Sequence, residues 1–164
     1  MMDNIKGLSL KELEAVLKKW QKPAFHARQM FSWIYQKNAT DFNAMSDLPS
    51  DLRRKLKENF YLSDLKLIRR QESRDSTEKF LFGLKDGGLI EAVSIPAEGR
   101  VTGCISTQVG CRFKCSFCAS GMAGFKKDLS CAEMLDEVLY LKNNSSSKRL
   151  THLVFMGTGE HLDN

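Results

Sequence analysis

Cys111, Cys115 and Cys118 stand in one run, Cys-Arg-Phe-Lys-Cys-Ser-Phe-Cys, flanked by sequence that fixes the local topology. Upstream, Val101–Thr107 reads as a strand that delivers the chain to the cysteines. Downstream, Ser130 with Glu133 forms a capping box, and Met134, Leu135, Val138, Leu139 and Leu141 mark a helix of roughly three turns. The polar run Asn143–Arg149 reads as a loop. Leu150–Met156 is then an apolar strand ending in Gly157-Thr158-Gly159-Glu160. Strand, loop, helix, strand is a β-α-β unit and implies a parallel sheet. Such a unit puts the cysteine loop and Gly157–Glu160 at the same carboxyl edge, where parallel α/β folds bind ligands.

The triplet carries its own chemistry. Iron–sulfur clusters take soft thiolates, and a full protein set is normally four. Three closely spaced thiols hold three irons of a four-iron cluster and leave the fourth open to a small molecule. The chain has five cysteines, three of them in this loop, which argues against a disulfide framework and for a metal site in a reducing compartment. Structural zinc needs a fourth Cys or His at matching spacing, and His26, His152 and His161 complete none locally. A zinc or electron-transfer module is therefore the lesser reading. A sulfonium cofactor with an amino-acid end can chelate an open iron through its amine and carboxylate. Electron transfer then cleaves a carbon–sulfur bond to give a carbon radical. Glycines 157 and 159 let backbone approach such a cofactor, and Glu160 can accept from its ammonium group.

The first sixty residues have helical periodicity. Ser9 and Glu12 form a capping box before Leu10, Leu13, Val16, Leu17 and Trp20; Pro23 opens a second helix with Ala27, Met30, Phe31 and Ile34 on one face; Pro49 opens a third with Leu52, Leu56 and Phe60. Trp20, Phe25, Phe31 and Trp33 read as core. Residues 1–90 carry 17 Lys and Arg against 12 Asp and Glu, whereas residues 91–164 carry 8 of each. This basic excess, with Arg53, Arg54, Lys55 and Lys57 off the apolar stripe of the third helix, suits phosphate backbones, and equally suits a solvated surface. Leu65–Arg70, Lys79–Leu84 and Leu89–Ile95 then read as strands, the last two joined by an Asp86-Gly87-Gly88 hairpin turn. No run approaches the ~20 apolar residues of a membrane span, and the N-terminus lacks a signal-peptide core, so a soluble cytoplasmic protein is expected.

Two parallel strands without neighbours do not make a stable α/β layer. Residues 96–164 are therefore read as the opening of a larger barrel, and the chain as a fragment of a longer one.

Several blocks resemble a known family. Glu91-Ala92-Val93-Ser94-Ile95-Pro96 and Cys104-Ile105-Ser106-Thr107-Gln108-Val109-Gly110-Cys111 are similar to the radical-SAM adenine C2 methyltransferases of the RlmN/Cfr family. The likeness continues through Phe155-Met156-Gly157-Thr158-Gly159-Glu160, and earlier through Gln29–Tyr35 and Met45–Pro49. It implies an α/β fold: a helical RNA-binding accessory domain (1–62), a β-strand connecting region (63–95) and the incomplete start of a radical-SAM partial TIM-type barrel (96–164). His161 and Thr158 depart from the family, which typically has proline and often methionine there.

By the same resemblance, Cys111, Cys115 and Cys118 are ligands of one [4Fe–4S] cluster. Gly157, Gly159 and Glu160 belong to the segment that binds the methionyl end of S-adenosylmethionine, and Phe117 takes the aromatic position beside that cofactor. Glu91 matches the family's proton acceptor and Cys104 one of two catalytic cysteines outside the cluster. The other, near the family's C-terminus, carries the methyl group to adenine C2 in 23S rRNA or tRNA. Radical addition suits this carbon, which is not nucleophilic; the adduct must still lose a proton and break a carbon–sulfur bond, and a carboxylate and a thiol are the residue types for that. Cys131 matches no family position and reads as structural. The implied partners are 23S rRNA, tRNA and a one-electron reductant such as flavodoxin, with the chain monomeric and away from membranes. Lacking the second cysteine, the chain is expected not to complete methylation alone. The rivals are a Cfr-like C8 methyltransferase and a non-catalytic RNA-binding fragment.

Overall fold

Both capping boxes form and set where the longest helices start. The Ser9 hydroxyl accepts from the Glu12 N–H at 3.3 Å while the Glu12 carboxylate accepts from the Ser9 N–H at 2.7 Å, opening α1 (Leu10–Lys19). The computed structural model describes every residue except Met1, Asp64, Lys114, Ala123, Ser147 and Lys148. The chain divides into two compact units, Met1–Ser63 and Asp64–Asn164.

In the first unit, α1 is joined by α2 (Phe25–Phe31), a wider π-type turn over Ser32–Gln36, and α3 (Ser50–Asn59), which follows Pro49 directly. Leu13, Leu17, Ala27, Met30, Ile34, Leu52 and Leu56 meet in one apolar core, as their spacing requires. Two short strands, β1 (Asp3–Asn4) and β2 (Phe60–Tyr61), pair in parallel. Trp20, Phe31 and Trp33 pack against this core half-buried. Phe25 does not: it is 59% exposed and stacks on the His26 ring at 4.2 Å. It lies about half a helical turn from the Ala27, Met30 and Ile34 stripe, so the helix that buries them turns Phe25 outward.

The second unit is built on one sheet of five strands. These are β3 (Lys66–Glu72), β4 (Glu78–Gly83), β5 (Leu89–Ala97), β6 (Arg100–Cys104) and, further along the chain, β9 (His152–Val154). β3 to β6 run antiparallel, and β9 pairs in parallel with β6, the β-α-β relation read from the sequence. The strands of the expected connecting region thus lie in the same sheet as this parallel pair and flank it on the β6 side. β7 (Gln108–Val109) and β8 (Lys127–Asp128) form a separate antiparallel pair. Between these lies the cysteine run, ending in the short α4 (Ala119–Met122). α5 (Cys131–Asn144) begins at the Ser130–Glu133 capping box and covers one sheet face. There Phe80, Phe82, Ile90, Ala92 and Leu141 are buried, with the Tyr140 ring edge-on to Phe80 and Phe82 at 5.4 and 4.8 Å.

Alternation leaves Lys79, Leu81, Glu91 and Val93 on the opposite, more open face. The expected Val101–Thr107 strand ends early, at Cys104, because the chain beyond it bonds to the segment after β9. The helix extends through Asn144, into the expected loop, of which Ser147 and Lys148 lie outside the described residues. Among the described residues no helix is long and apolar enough to cross a membrane.

Candidate active site

Beyond Cys104 the backbone is laced to the last residue of β9 and to the residues that follow it. Ile105 N–H donates to Val154 O at 3.0 Å and Gly157 N–H to Ile105 O at 3.0 Å, while Thr107 and Gln108 N–H both reach Thr158 O, at 2.9 and 3.1 Å. The glycines at 157 and 159 make this possible. A side-chain carbon on Gly157 would sit 2.7 Å from the Ile105 carbonyl, and one on Gly159 2.8 Å from the Gln108 nitrogen. Gly159 also has φ +110°, a conformation L side chains rarely adopt. Their first use is closure onto the chain's own backbone, not only the approach to a cofactor expected from the sequence.

The cysteine loop leaves this ladder through Gly110. Its φ is +75°, and a side-chain carbon would fall 1.6 Å from the Gly124 carbonyl oxygen. Cys111 is buried, Cys118 half-buried and Cys115 exposed. N–H groups of Gly121 and Ser120 hold the Cys118 thiol below the usual thiol range. Three thiols on one loop suit soft-metal chemistry. They are not, however, gathered: among the described residues no three His, Cys, Asp or Glu side chains form a metal-holding group. The ligand set read from the spacing is present in type but not drawn to one point. Thiolates repel one another until a metal ion neutralises them, and such sites close with metal binding. Phe117, between two of the cysteines, is 91% exposed.

Glu91 and Cys104 share a sheet face. Cys104 stands opposite Val93 in the β5–β6 register, and Glu91 lies two residues from Val93 on the same side of β5. Burial pushes the Cys104 thiol above its ordinary value; an N–H from Met156 opposes this and the carboxyl of Glu137 adds to it. Glu91 is part-exposed and ion-paired with Lys79 at 2.7 Å. It opens into a cavity of about 360 Å3 whose wall also includes Gly110, Ser120, Lys126 and Thr158. Glu91, the end of the cysteine loop and the glycine segment are thereby brought together. Glu160 is turned locally instead: its carboxylate accepts from Leu162 N–H at 3.1 Å and lies 3.4 Å from His161 Nδ1. Cys131 is exposed at the start of α5, and Lys127 pairs with Asp86 and Glu133 at 2.6 Å each.

Sequence reasoning passed over the residues that join these parts. Ser106, wholly buried, donates its hydroxyl to Glu91 O at 2.7 Å, accepts from Thr158 N–H at 2.9 Å and sends its own N–H to the Glu137 carboxylate at 3.1 Å. Gln108, also wholly buried, accepts from Glu160 N–H at 3.0 Å. Polar side chains at the alternate positions 106 and 108, in and just after the run expected as a strand, were the available signal, since such groups need partners when buried.

Residues 3–62 match the family model described as the ribosomal RNA large subunit methyltransferase N-terminal domain. A probable dual-specificity RNA methyltransferase RlmN of Caldanaerobacter subterraneus subsp. tengcongensis is 43% identical over 99% of this chain and 47% of its own length. One from Carboxydothermus hydrogenoformans is 46% identical over 96% of the chain and 46% of its own length. The crystal structure of a radical SAM methyltransferase from Sphaerobacter thermophilus superposes with a TM-score of 0.91 at 38% identity, covering all of this chain and 49% of that one. The fold is thus that of about half of a radical SAM methyltransferase. Within that class the chain is similar to the RlmN methyltransferases along nearly all of its length, and it spans about half the length of the curated relatives it matches.

Proposed function

We propose that the chain supplies the cluster loop and cofactor segment of a radical-SAM RNA methyltransferase. This enzyme methylates C2 of adenosine in 23S rRNA and tRNA by way of a methylated cysteine. The observation that carries the reading is the shared cavity, walled by Glu91, the residue after the cysteine loop's short helix begins, and Thr158 of the glycine segment. Cys111, Cys115 and Cys118 would hold the cluster, and Gly157, Gly159 and Glu160 the methionyl end of the cofactor, with Phe117 beside it. Bound there, the cluster supplies the electron that breaks a carbon–sulfur bond of S-adenosylmethionine.

The protein's own groups do the rest. Glu91 and Cys104, which share one sheet face, are the groups that would act on the RNA adduct; Lys79 pairs with the Glu91 carboxylate, and the Ser106 hydroxyl fixes the Glu91 backbone. Cys104 is the thiol that takes part in releasing the adduct. RNA and a one-electron reductant are the partners of this chemistry. The methyl-carrying cysteine has no counterpart among Cys104, Cys111, Cys115, Cys118 and Cys131, so these residues alone are expected not to complete a turnover.

Anaerobic reconstitution with iron and sulfide tests the reading. Four irons and four sulfides per chain are expected; a single bound zinc and no cluster would sink it. Incubation of the same material with S-adenosylmethionine, reductant and an rRNA fragment should yield no 2-methyladenosine. Its formation would refute the dependence on a further cysteine.

A further inference from the structure

Arg112, the residue after the first loop cysteine, reaches across to two carboxylates. Its Nη1 donates to Asp163 at 2.9 Å and its Nη2 to Asp128 at 2.8 Å, while the guanidinium covers the Phe125 ring at 4.0 Å. Gln108 joins the same two carboxylates from beneath, its Nε2 donating to Asp128 at 2.9 Å and to Asp163 at 3.0 Å. The remaining oxygen of that amide accepts from the Glu160 N–H. Every polar atom of the Gln108 side chain is thus committed, and the side chain is wholly buried. One cation, two anions and one amide make a closed circuit between the start of the cysteine loop, β8 and the residues just past Glu160.

Isolated pairs of this exposure contribute little, since Arg112 and Asp128 are each more than a third exposed. This circuit differs in two respects. The fork of one guanidinium spans two carboxylates at once, a geometry that lysine cannot reproduce. And its buried member, Gln108, transmits the arrangement to the Glu160 backbone by a direct hydrogen bond. Nothing in the site as described above requires Arg112 or Asp163: neither lines the cavity that holds Glu91, and neither is of a type that ligates iron here.

We propose that Arg112, Asp163, Asp128 and Gln108 form a clamp that fixes the start of the cysteine loop against the Gly157–Glu160 segment. Arg112 and Asp163 act as positioning residues for S-adenosylmethionine. The inference rests on the function proposed above, in which the methionyl end of one cofactor molecule must meet both the cluster of the cysteine loop and the Gly157–Glu160 segment. Two contacts on separate loops bind one ligand well only when their spacing is set beforehand, because ordering them on binding costs affinity. The clamp sets that spacing through side chains that need not touch the ligand.

Arg112→Ala, Asp163→Asn and the double variant are compared with the parent protein. Amide hydrogen exchange is read without cofactors. Iron content, S-adenosylmethionine affinity and the electron paramagnetic resonance of the reduced cluster upon cofactor addition are read after reconstitution. Expected are unchanged iron content, faster exchange at the Glu160 amide, affinity lower by roughly tenfold and an altered cofactor-induced spectrum. The double variant should be no worse than the worse single one, as for residues acting as a unit. Parental exchange and affinity in both single variants overturn the clamp, and so do fully additive losses. If Arg112→Ala does not fold, Asp163→Asn decides by the same measures. Should the parent itself bind no cluster or show no spectral response, the proposed function fails, while the exchange comparison still judges the clamp separately.

Discussion

Glu137 offers a quantitative test of how the second unit is held together. It lies on α5 with no exposed surface; one carboxyl oxygen accepts from the Ser106 N–H at 3.1 Å and the other has no hydrogen-bond partner among the described residues. Burial, opposed by the Ser106 bond and reinforced by the charges of Glu133 and Asp136, pushes its carboxyl up to about 9. From Cys104, on β6, the nearby group is a thiol, which offers no positive charge. The native state therefore holds a proton that the unfolded chain, titrating near 4.5, releases. Between those two values the unfolded state binds one proton fewer, so stability falls by about 1.4 kcal/mol for each unit of rising pH. Below the unfolded value the penalty is absent; at pH 7 it has grown to the order of 3 kcal/mol.

Glu137→Gln keeps the size and the acceptor for Ser106 but does not titrate. The difference in unfolding free energy, variant minus parent, should climb with that slope from pH 5 to pH 8. The amide's extra unpaired donor shifts this difference by a constant, about 1 to 3 kcal/mol, and leaves its slope alone. Both tryptophans, Trp20 and Trp33, belong to the first unit, so their fluorescence is blind to this change. Urea unfolding is better followed through labelling of the buried Cys104 thiol, in a fixed-pH pulse located by mass spectrometry. A difference that stays flat across the range refutes the assignment of a neutral, buried Glu137.

Two structural substitutions test the scaffold around the site. Gly110→Ala drives a methyl carbon into the Gly124 carbonyl at a positive φ, and should cost at least about 2 kcal/mol or displace the cysteine loop, read by proteolysis between residues 110 and 124. Phe82→Ala removes a wholly buried ring that packs on Tyr140, and should destabilise the second unit by about 3 to 5 kcal/mol in the same labelling assay, with the first unit unchanged by tryptophan fluorescence.

What the sequence disclosed and what it withheld divide along the range of the interactions. Helix starts were legible because a cap is local: Ser9 with Glu12 and Ser130 with Glu133 each satisfy their own first turn. The alternation of Phe80, Phe82, Ile90 and Ala92 was legible for the same reason, a strand needing only its own period. The end of β6 was not, because the bonds of Ile105 to Val154 and Gly157, some fifty positions away, are set by the fold and by no local pattern. Arg112 and Asp163 meet across 51 positions, and no short pattern announces such a pair. Glycines 157 and 159 were visible as glycines, but their packing on Ile105 and Gln108 is a tertiary fact. Of the candidate site, residue types were legible and convergence was not: the cavity joins Glu91 to Thr158 through the fold of the intervening chain.

The unequal surroundings of Glu91 and Cys104 bear on which of them would remove the adduct's proton in the proposed reaction. Cys104 is buried, and burial pushes its thiol above its ordinary value, so near neutral pH it keeps its proton. A base must be free to accept at the working pH, and a thiol in that state is not. Glu91 is part-exposed, opens into the cavity and is paired with a lysine, a setting that presents a carboxylate. This favours Glu91 as the proton acceptor and Cys104 as the thiol that acts after the proton has left. The assignment predicts that alkylation of Cys104 in the folded chain, measured against pH, reaches half its maximal rate at a higher pH than that of a free thiol. Half-maximal labelling near pH 7 would show a thiolate already present, and would move the role of base from Glu91 to Cys104.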